Sequence, residues 1–356
     1  MNIEKFLEEK ATLIDKAVEK YIPRKFSEKD TLFKISPPNY AYNLETLNKA
    51  IAEPIWEFLD RGGKRWRPSL FLLILEALGK NPDDYVDFAI IPEIIHNGTL
   101  MIDDIEDASV YRRGKPCTYK IYGLDIAINA GNAMYYLPLI PLIENSDKLS
   151  LEKLRKIYET YVQEMISISL GQAMDIAWNK DMIKADKIDE KDYLQMCAYK
   201  TGTLARMAAK IAAILADTDE RLIKKLGHFA ESIGVAFQIQ DDILDLKGEG
   251  FAEKKGGRGK DITEGKRSLV VIHTLKVADS KDKKRLVTIL NMHTSNQKLM
   301  YETIKIMEKY ESIDYARQYA KNMVKKSWNE IEKLLPASKA KERLNAFAKF
   351  LIEREI

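Results

Sequence analysis

Asp103, Asp104 and Asp107 stand in the segment DDIEDASVYRRG, with Glu106 among them and Arg112 and Arg113 close behind. The same D-D-x-x-D spacing returns far along the chain at Asp241, Asp242 and Asp245, in FQIQDDILDL. On a helix, residues four apart share a face, so Asp103 and Asp107 point one way and Asp104 about 100° off. A single such cluster is an ordinary exposed helical face. Here both clusters end apolar helical runs, the first being IIPEIIHNGTLMI. Carboxylates gathered beside buried surface are costly unless cations accompany them. All-oxygen ligands suit a hard ion. Mg²⁺ in particular is held by one or two carboxylates, waters and substrate phosphates. The chemistry implied is a metal-bridged diphosphate held between two acidic helices.

The anion-binding counterpart is DRGGKRWRPS, Asp60–Ser69. Gly62 and Gly63 can end one helix, and Pro68 suits the first position of the next. Lys64, Arg65 and Arg67 then crowd a helix N-terminus, where the N–H groups and the dipole favour anions. Arg112 and Arg113 add bidentate phosphate donors. Lys200 in YKTGTL and Lys266 in DITEGKR are further candidates, and His96 lies about two turns before Asp103 on roughly the same face. Acidic and basic groups together suggest two anionic sites, one bridged by metal and one held by Lys and Arg alone.

The elements that must carry these groups are helices. Leu151–Ala177, Leu222–Leu246 and Ile313–Leu335 are long runs of helix formers with apolar residues three and four apart. No series of alternating strands with hairpin signals occurs. Breaks are short except for the Gly-rich stretch 247–260. The expected architecture is a single all-α domain spanning residues 1–356, and an apolar fraction of 46 % supplies its core. With 57 Lys and Arg against 54 Asp and Glu, a net charge of +3 opposes a nucleic-acid partner. Cys117 and Cys197 form no CxxC pair, so neither zinc nor a disulfide framework is indicated. The acidic start MNIEKFLEEK is unlike a signal or transit peptide. No run reaches about 18 apolar residues. A cytoplasmic protein without a transmembrane segment is expected.

Taken together, Gly62-Gly63-Lys64-Arg65-x-Arg67-Pro68, the first aspartate motif with Arg112-Arg113-Gly114, Lys200-Thr201, Gln238 and the second aspartate motif resemble the trans-isoprenyl diphosphate synthases. The match runs from about residue 50 to the C-terminus in order and spacing. Either aspartate motif alone is weak, because terpene cyclases share one; the set is specific. HNGTLMIDDIED and GQAMDIAW look most like the geranylgeranyl diphosphate synthases of the eukaryotic type. The resemblance implies an all-α, homodimeric fold around a central cavity, and head-to-tail condensation of an allylic diphosphate (dimethylallyl, geranyl or farnesyl) with isopentenyl diphosphate.

Carried over residue by residue, Asp103, Asp107 and Asp241 are the main ligands of about three Mg²⁺ ions, supported by Asp104, Asp242 and Asp245. Arg112, Lys200 and Lys266 grip the allylic diphosphate. Lys64, Arg67, His96 and Arg113, with Arg65 beside them, hold isopentenyl diphosphate. Gln238 and Thr201 lie beside the reacting carbons. A lysine of the Gly-rich loop, Lys255 or Lys260, caps the diphosphate. Asn132 and Ile102 depart from common family forms with little consequence for the chemistry.

The growing chain should run back along the helix that ends in the first motif. Ile95, Gly98 and Thr99 line that path; Gly98 and Thr99 are small, which argues against a C15 stop. Tyr135 and Tyr136 are candidates for a deeper floor. A C20 product is expected, with C25 or longer as the alternative. A terpene cyclase would not need the Lys64, Arg67 and Arg113 grip, and a non-catalytic partner subunit tends to lose the acidic motifs that are intact here.

Overall fold

The runs of helix formers become helices almost throughout the computed structural model, which describes residues 3–41, 43–183, 187–247 and 259–353. Among these the only strand pair is Tyr111–Arg112 with Lys115–Pro116, a two-rung antiparallel hairpin. The class is all-α, as the periodicity requires.

The chain divides into two compact units. The first comprises Met1–Val162, Met207–Gly227 and Leu335–Leu344. Its helices include α1 (Ile3–Tyr21), α2 (Thr31–Ile35), α3 (Leu44–Leu47), α4 (Glu53–Leu59), α5 (Trp66–Ala77) and α6 (Val86–Glu106). After the hairpin come α7 (Thr118–Tyr122), α8 (Leu124–Tyr136) and α9 (Ile140–Glu144). Helix α5 is buried almost all round, from Trp66 to Ala77. Helix α6 packs on α1, α5 and α8.

The α6–α8 crossing is made by glycines. A Cβ added to Gly98 would stand 2.8 Å from the Gly131 carbonyl oxygen and from Met134 Cβ. One added to Gly131 would stand 2.9 Å from Ile102 Cδ1. At Gly98 no side chain other than hydrogen fits without moving the helices, whereas at Gly131 the Ile102 side chain would have to shift. By length and composition Leu124–Glu144 is apolar enough to cross a membrane, with a mean hydropathy of 1.3, yet half of its apolar window is buried in the fold. A 3₁₀ turn at Leu137–Leu139 also interrupts it.

The second unit comprises Gln163–Arg206, His228–Leu334 and Asn345–Ile356. It takes in parts of α10 (Leu151–Asn179), α12 (Thr203–Leu215) and α13 (Glu220–Lys247), and all of α11 (Glu190–Cys197). A π-helical turn, Ala198–Gly202, links α11 to α12. Glycines again permit close approach: a Cβ on Gly171 of α10 would lie 2.4 Å from the Lys200 backbone nitrogen, and one on Gly234 of α13 would lie 2.7 Å from Gly202 Cα. The turn is thus held between two helices at backbone contact. Helix Leu269–Val277, capped by the Ser268 side chain, packs on helix Ser312–Ile331 and follows the loop that carries Lys266.

Candidate active site

In the first unit, Asp103 and Asp104 occupy the last turn of α6 and Asp107 is its C-cap. The three are not equivalent. Asp104 is fully buried, whereas Asp103 is half-buried and Asp107 exposed. Arg112 clamps one oxygen of Asp104 through Nε at 2.8 Å and Nη2 at 2.6 Å. Burial alone would lower the Arg112 pKa, but Asp104 overcomes it and holds the guanidinium charged. The thiol of Cys117 lies against the same carboxylate; burial first, then Asp104, pushes it up to about 12. Such a thiol stays protonated and unreactive.

The hairpin that presents the two arginines is fixed from below. Arg61 donates to the backbone carbonyls of Arg112 and Pro116 while pairing with Glu57 on α4. Arg113 has φ +52° and Gly114 φ +77°, so the turn reverses tightly and the two side chains diverge. Arg112 goes to Asp104. Arg113 instead donates to the Gly62 carbonyl and, at 3.3 Å, to Asn97 Oδ1, with its guanidinium 5.3 Å from the centre of the Phe58 ring. Burial pushes the Arg113 pKa down to about 10; Glu93 resists the shift, and Arg65, Arg112 and Arg61 add to it.

Arg65 departs from its expected role. It is the N-cap of α5 with φ +48°, and its side chain turns inward. Nε meets Asp15 of α1 at 2.9 Å, Nη1 meets Glu93 of α6 at 3.1 Å, and Nη2 donates to the Leu59 carbonyl. Arg65 therefore ties α1, α5 and α6 together rather than presenting a fork to a ligand. The helix also starts at Trp66, two residues before Pro68, so Arg67 lies inside its first turn, buried and stacked 4.4 Å from the Trp66 ring centre. Lys64 is exposed beside it. His96 faces this cluster: burial, then Arg67, Arg113, Arg112 and Arg65, drives its pKa well below the usual value, so the ring is neutral.

In the second unit the other motif is divided too, but with one outward acid instead of two. Asp241 is half-buried, while Asp242 and Asp245 are buried. Asp242 accepts from Lys266 Nζ at 2.7 Å, Gln238 Nε2 at 2.9 Å and the Tyr193 hydroxyl at 2.7 Å. Asp245 accepts from the Asp261 backbone N–H through its side chain. Burial would depress Lys266, but Asp242, Asp261 and Asp175 outweigh it and keep the ammonium well above its usual range. Lys200 and Thr201 sit in the π turn. Such turns recur at functional sites because they bulge one residue out of register. Lys200 pairs with Asp175 of α10 at 2.5 Å, and Thr201 donates to Gln238 at 3.0 Å. Gln238 thereby links Thr201 to Asp242.

The remaining expectations divide. Lys255 lies outside the described residues; Lys260 is half-buried and pairs with Glu264 at 3.0 Å. Ile95 is buried, and Thr99 is half-buried with its hydroxyl donating to the His96 carbonyl. Tyr135 packs toward Gly98, its Cε1 3.3 Å from where a Cβ would stand, whereas Tyr136 is 67 % exposed on the surface of the single chain. Gly98 is small because α8 crosses there, so its size says nothing about the product. Asp15, Glu93, Asn97, Asp175, Tyr193 and Asp261 join the site without having been expected there. Asp175 stands in GQAMDIAW, and Glu93 and Asn97 carry a signal in their four-residue spacing within an apolar helix.

Among the described residues no three His, Cys, Asp or Glu side chains form a preformed metal cage. Mg²⁺ is bound through one or two carboxylates plus substrate phosphates. Asp103, Asp107 and Asp241 are the outward carboxylates suited to it.

The polyprenyl synthetase family model matches residues 48–307. The chain belongs to the polyprenyl synthetase family. It is 34 % identical to a short chain isoprenyl diphosphate synthase of Methanothermobacter thermautotrophicus, over 94 % of this chain and 98 % of that protein. A geranylgeranyl pyrophosphate synthase of Geoglobus acetivorans is 32 % identical over 84 % of this chain and 89 % of its own. The crystal structure of geranylgeranyl pyrophosphate synthetase from Pyrococcus horikoshii superposes with a TM-score of 0.83 at 33 % identity, covering 99 % of this chain and 98 % of that one. Membership makes this polyprenyl synthetase a prenyltransferase whose family uses Mg²⁺ with diphosphate substrates. Both outward and buried aspartates of the two motifs fall within the matched region.

Proposed function

We propose that this chain condenses isopentenyl diphosphate head-to-tail with allylic diphosphates to give geranylgeranyl diphosphate. The observation that carries the reading is the division of each motif into a buried aspartate clamped by a cation and outward carboxylates: Asp104 with Arg112, and Asp242 with Lys266. Relatives named geranylgeranyl diphosphate synthase, including the protein of Sulfolobus acidocaldarius at 31 % identity, support the product assignment.

In this reading Asp103, Asp107 and Asp241 hold about three Mg²⁺ ions, which when bound neutralise the departing diphosphate. Arg112, Lys200 and Lys266 stabilise the same leaving charge as the allylic cation forms. Lys64, Arg67 and Arg113 bind isopentenyl diphosphate, and neutral His96 contributes a hydrogen bond rather than a charge. Thr201 and Gln238 lie beside the reacting carbons and fix the hydrogen-bonding face there. The double bond of isopentenyl diphosphate attacks the cation, and a proton leaves to the departing diphosphate. The apolar runs of α6 and α13 exclude the water that would quench the cation.

A homodimer is part of the proposal. Leu124, Ile128 and Tyr136 leave an exposed apolar stripe on α8, and Val162, Ile166 and Leu170 leave one on α10. Residence in the cytoplasm is part of the proposal. A second reading, C25 or longer, is favoured by the likeness to a geranylfarnesyl diphosphate synthase of Natronomonas pharaonis at 32 % identity. The experiment is incubation of purified protein with labelled isopentenyl diphosphate, each allylic primer in turn and Mg²⁺, followed by sizing of the dephosphorylated products. C20 alcohol is expected, and chelation of the metal should abolish it. No elongation from any primer overturns the assignment; C25 as the end product selects the second reading.

A further inference from the structure

Asn97 is fully buried one turn beyond Glu93 on α6. Its amide nitrogen faces two acceptors, the Glu93 backbone carbonyl at 2.8 Å and Glu93 Oε1 at 2.9 Å. Only the NH₂ end can satisfy two acceptors, so the amide has one permitted orientation and its oxygen must point the other way. There it accepts from Arg113 Nη1 at 3.3 Å. Glu93 is itself fixed by Arg65, and Arg65 by Asp15 of α1. The result is a buried chain from the N-terminal helix to Arg113.

The type of residue at position 97 matters. An aspartate of the same shape there would give Arg113 a full counter-charge. The guanidinium would then be committed to a buried ion pair, and an incoming diphosphate would have to compete for it. A neutral amide orients the guanidinium and leaves its charge for the ligand. We infer that Asn97 is the positioning residue for Arg113, aiming it at the metal-free diphosphate without neutralising it, with Glu93 setting the direction of the amide. The inference rests on the assignment of Arg113 to isopentenyl diphosphate made above.

The test is steady-state kinetics of Asn97→Asp, Asn97→Ala and Asn97→Ser, with the two substrates varied separately and thermal melting recorded for each. Asn97→Asp should raise the KM for isopentenyl diphosphate about tenfold, with kcat and the KM for the allylic primer within about twofold of the parent. Asn97→Ala should raise the same KM about threefold, and Asn97→Ser, which restores an oxygen acceptor, should recover part of it. Equal changes in both KM values, or an unchanged KM for isopentenyl diphosphate in a folded Asn97→Asp protein, overturn the inference. Should Asn97→Asp fail to fold, Glu93→Gln decides: it removes the charge behind the amide but keeps an acceptor. A KM for isopentenyl diphosphate that rises alone supports the relay, and one that does not move refutes it. An inactive parent enzyme would instead refute the underlying function.

Discussion

Lys266 Nζ, half-buried, lies 2.7 Å from Oδ1 of the buried Asp242, while the neighbouring Asp241 is left half-exposed. The second aspartate motif therefore contains two kinds of acid. Removing a partner from a buried pair leaves an uncompensated charge and costs about 3 kcal/mol or more. Asp242→Ala, which also strands Tyr193 and Gln238, should lower stability by that amount, read as a falling denaturant midpoint. Asp241→Ala should change stability by less than about 1 kcal/mol. It should instead lose on the order of a hundredfold in kcat and require more Mg²⁺. Equal stability losses in the two variants would contradict the division.

His96 makes stability pH-dependent in a defined direction. Its folded pKa is depressed by burial and by four arginines that stay charged throughout the range. Above about pH 6.5 the ring is neutral in both folded and unfolded chains, and its contribution is fully present. As the pH falls below that value the unfolded chain takes up a proton that the folded chain refuses. Stability then drops by up to about 1.4 kcal/mol per pH unit. Melting temperatures recorded from pH 7 to 5 should fall more steeply for the parent than for His96→Asn. Parallel curves would show that the imidazole does not titrate as described.

The π turn gives a test of positioning in the second unit. Gly171 sits where a Cβ would approach the Lys200 backbone nitrogen to 2.4 Å, and backbone cannot swing aside as a side-chain tip can. Gly171→Ala should displace the turn, cost about 2 kcal/mol and separate Lys200 from Asp175. The expected kinetic signature is a lower kcat with a raised KM for the allylic primer. Both should exceed any effect on isopentenyl diphosphate. An unperturbed kcat would mean that the turn shifts without moving the ammonium.

Much of the site was legible because its logic is one of charge and spacing. Paired acids at D-D-x-x-D, each ending an apolar run, announce a cation-requiring cleft, and α6 and α13 carry them as the periodicity requires. What the spacing does not encode is which acid turns inward. Asp104 and Asp103 are adjacent in sequence, and it is Asp104 that Arg112 reaches from the hairpin. Arg65 shows the same gap. A basic residue at a helix start looks like a phosphate donor until the distant Asp15 and Glu93 claim it. Spacing along one helix shows which acids can share a face; it does not show which of them a side chain from far along the chain will claim.

Gly98 and Thr99 separate two explanations for small residues on the product path. Gly98 meets the backbone of α8 at Gly131, so Gly98→Phe should drive the helices apart. The cost should be several kcal/mol, on the order of 3 or more, seen as loss of folded protein rather than as a shorter product. Thr99 is half-buried, and its hydroxyl bonds locally to the His96 carbonyl. Thr99→Phe should therefore fold with a loss of about 1–2 kcal/mol and shift the product from C20 toward C15 in the sizing assay. A stable Gly98→Phe enzyme with shortened product would show that the α6–α8 crossing yields and that Gly98 lines the pocket after all. An unchanged product from Thr99→Phe would move the limiting wall off α6 altogether.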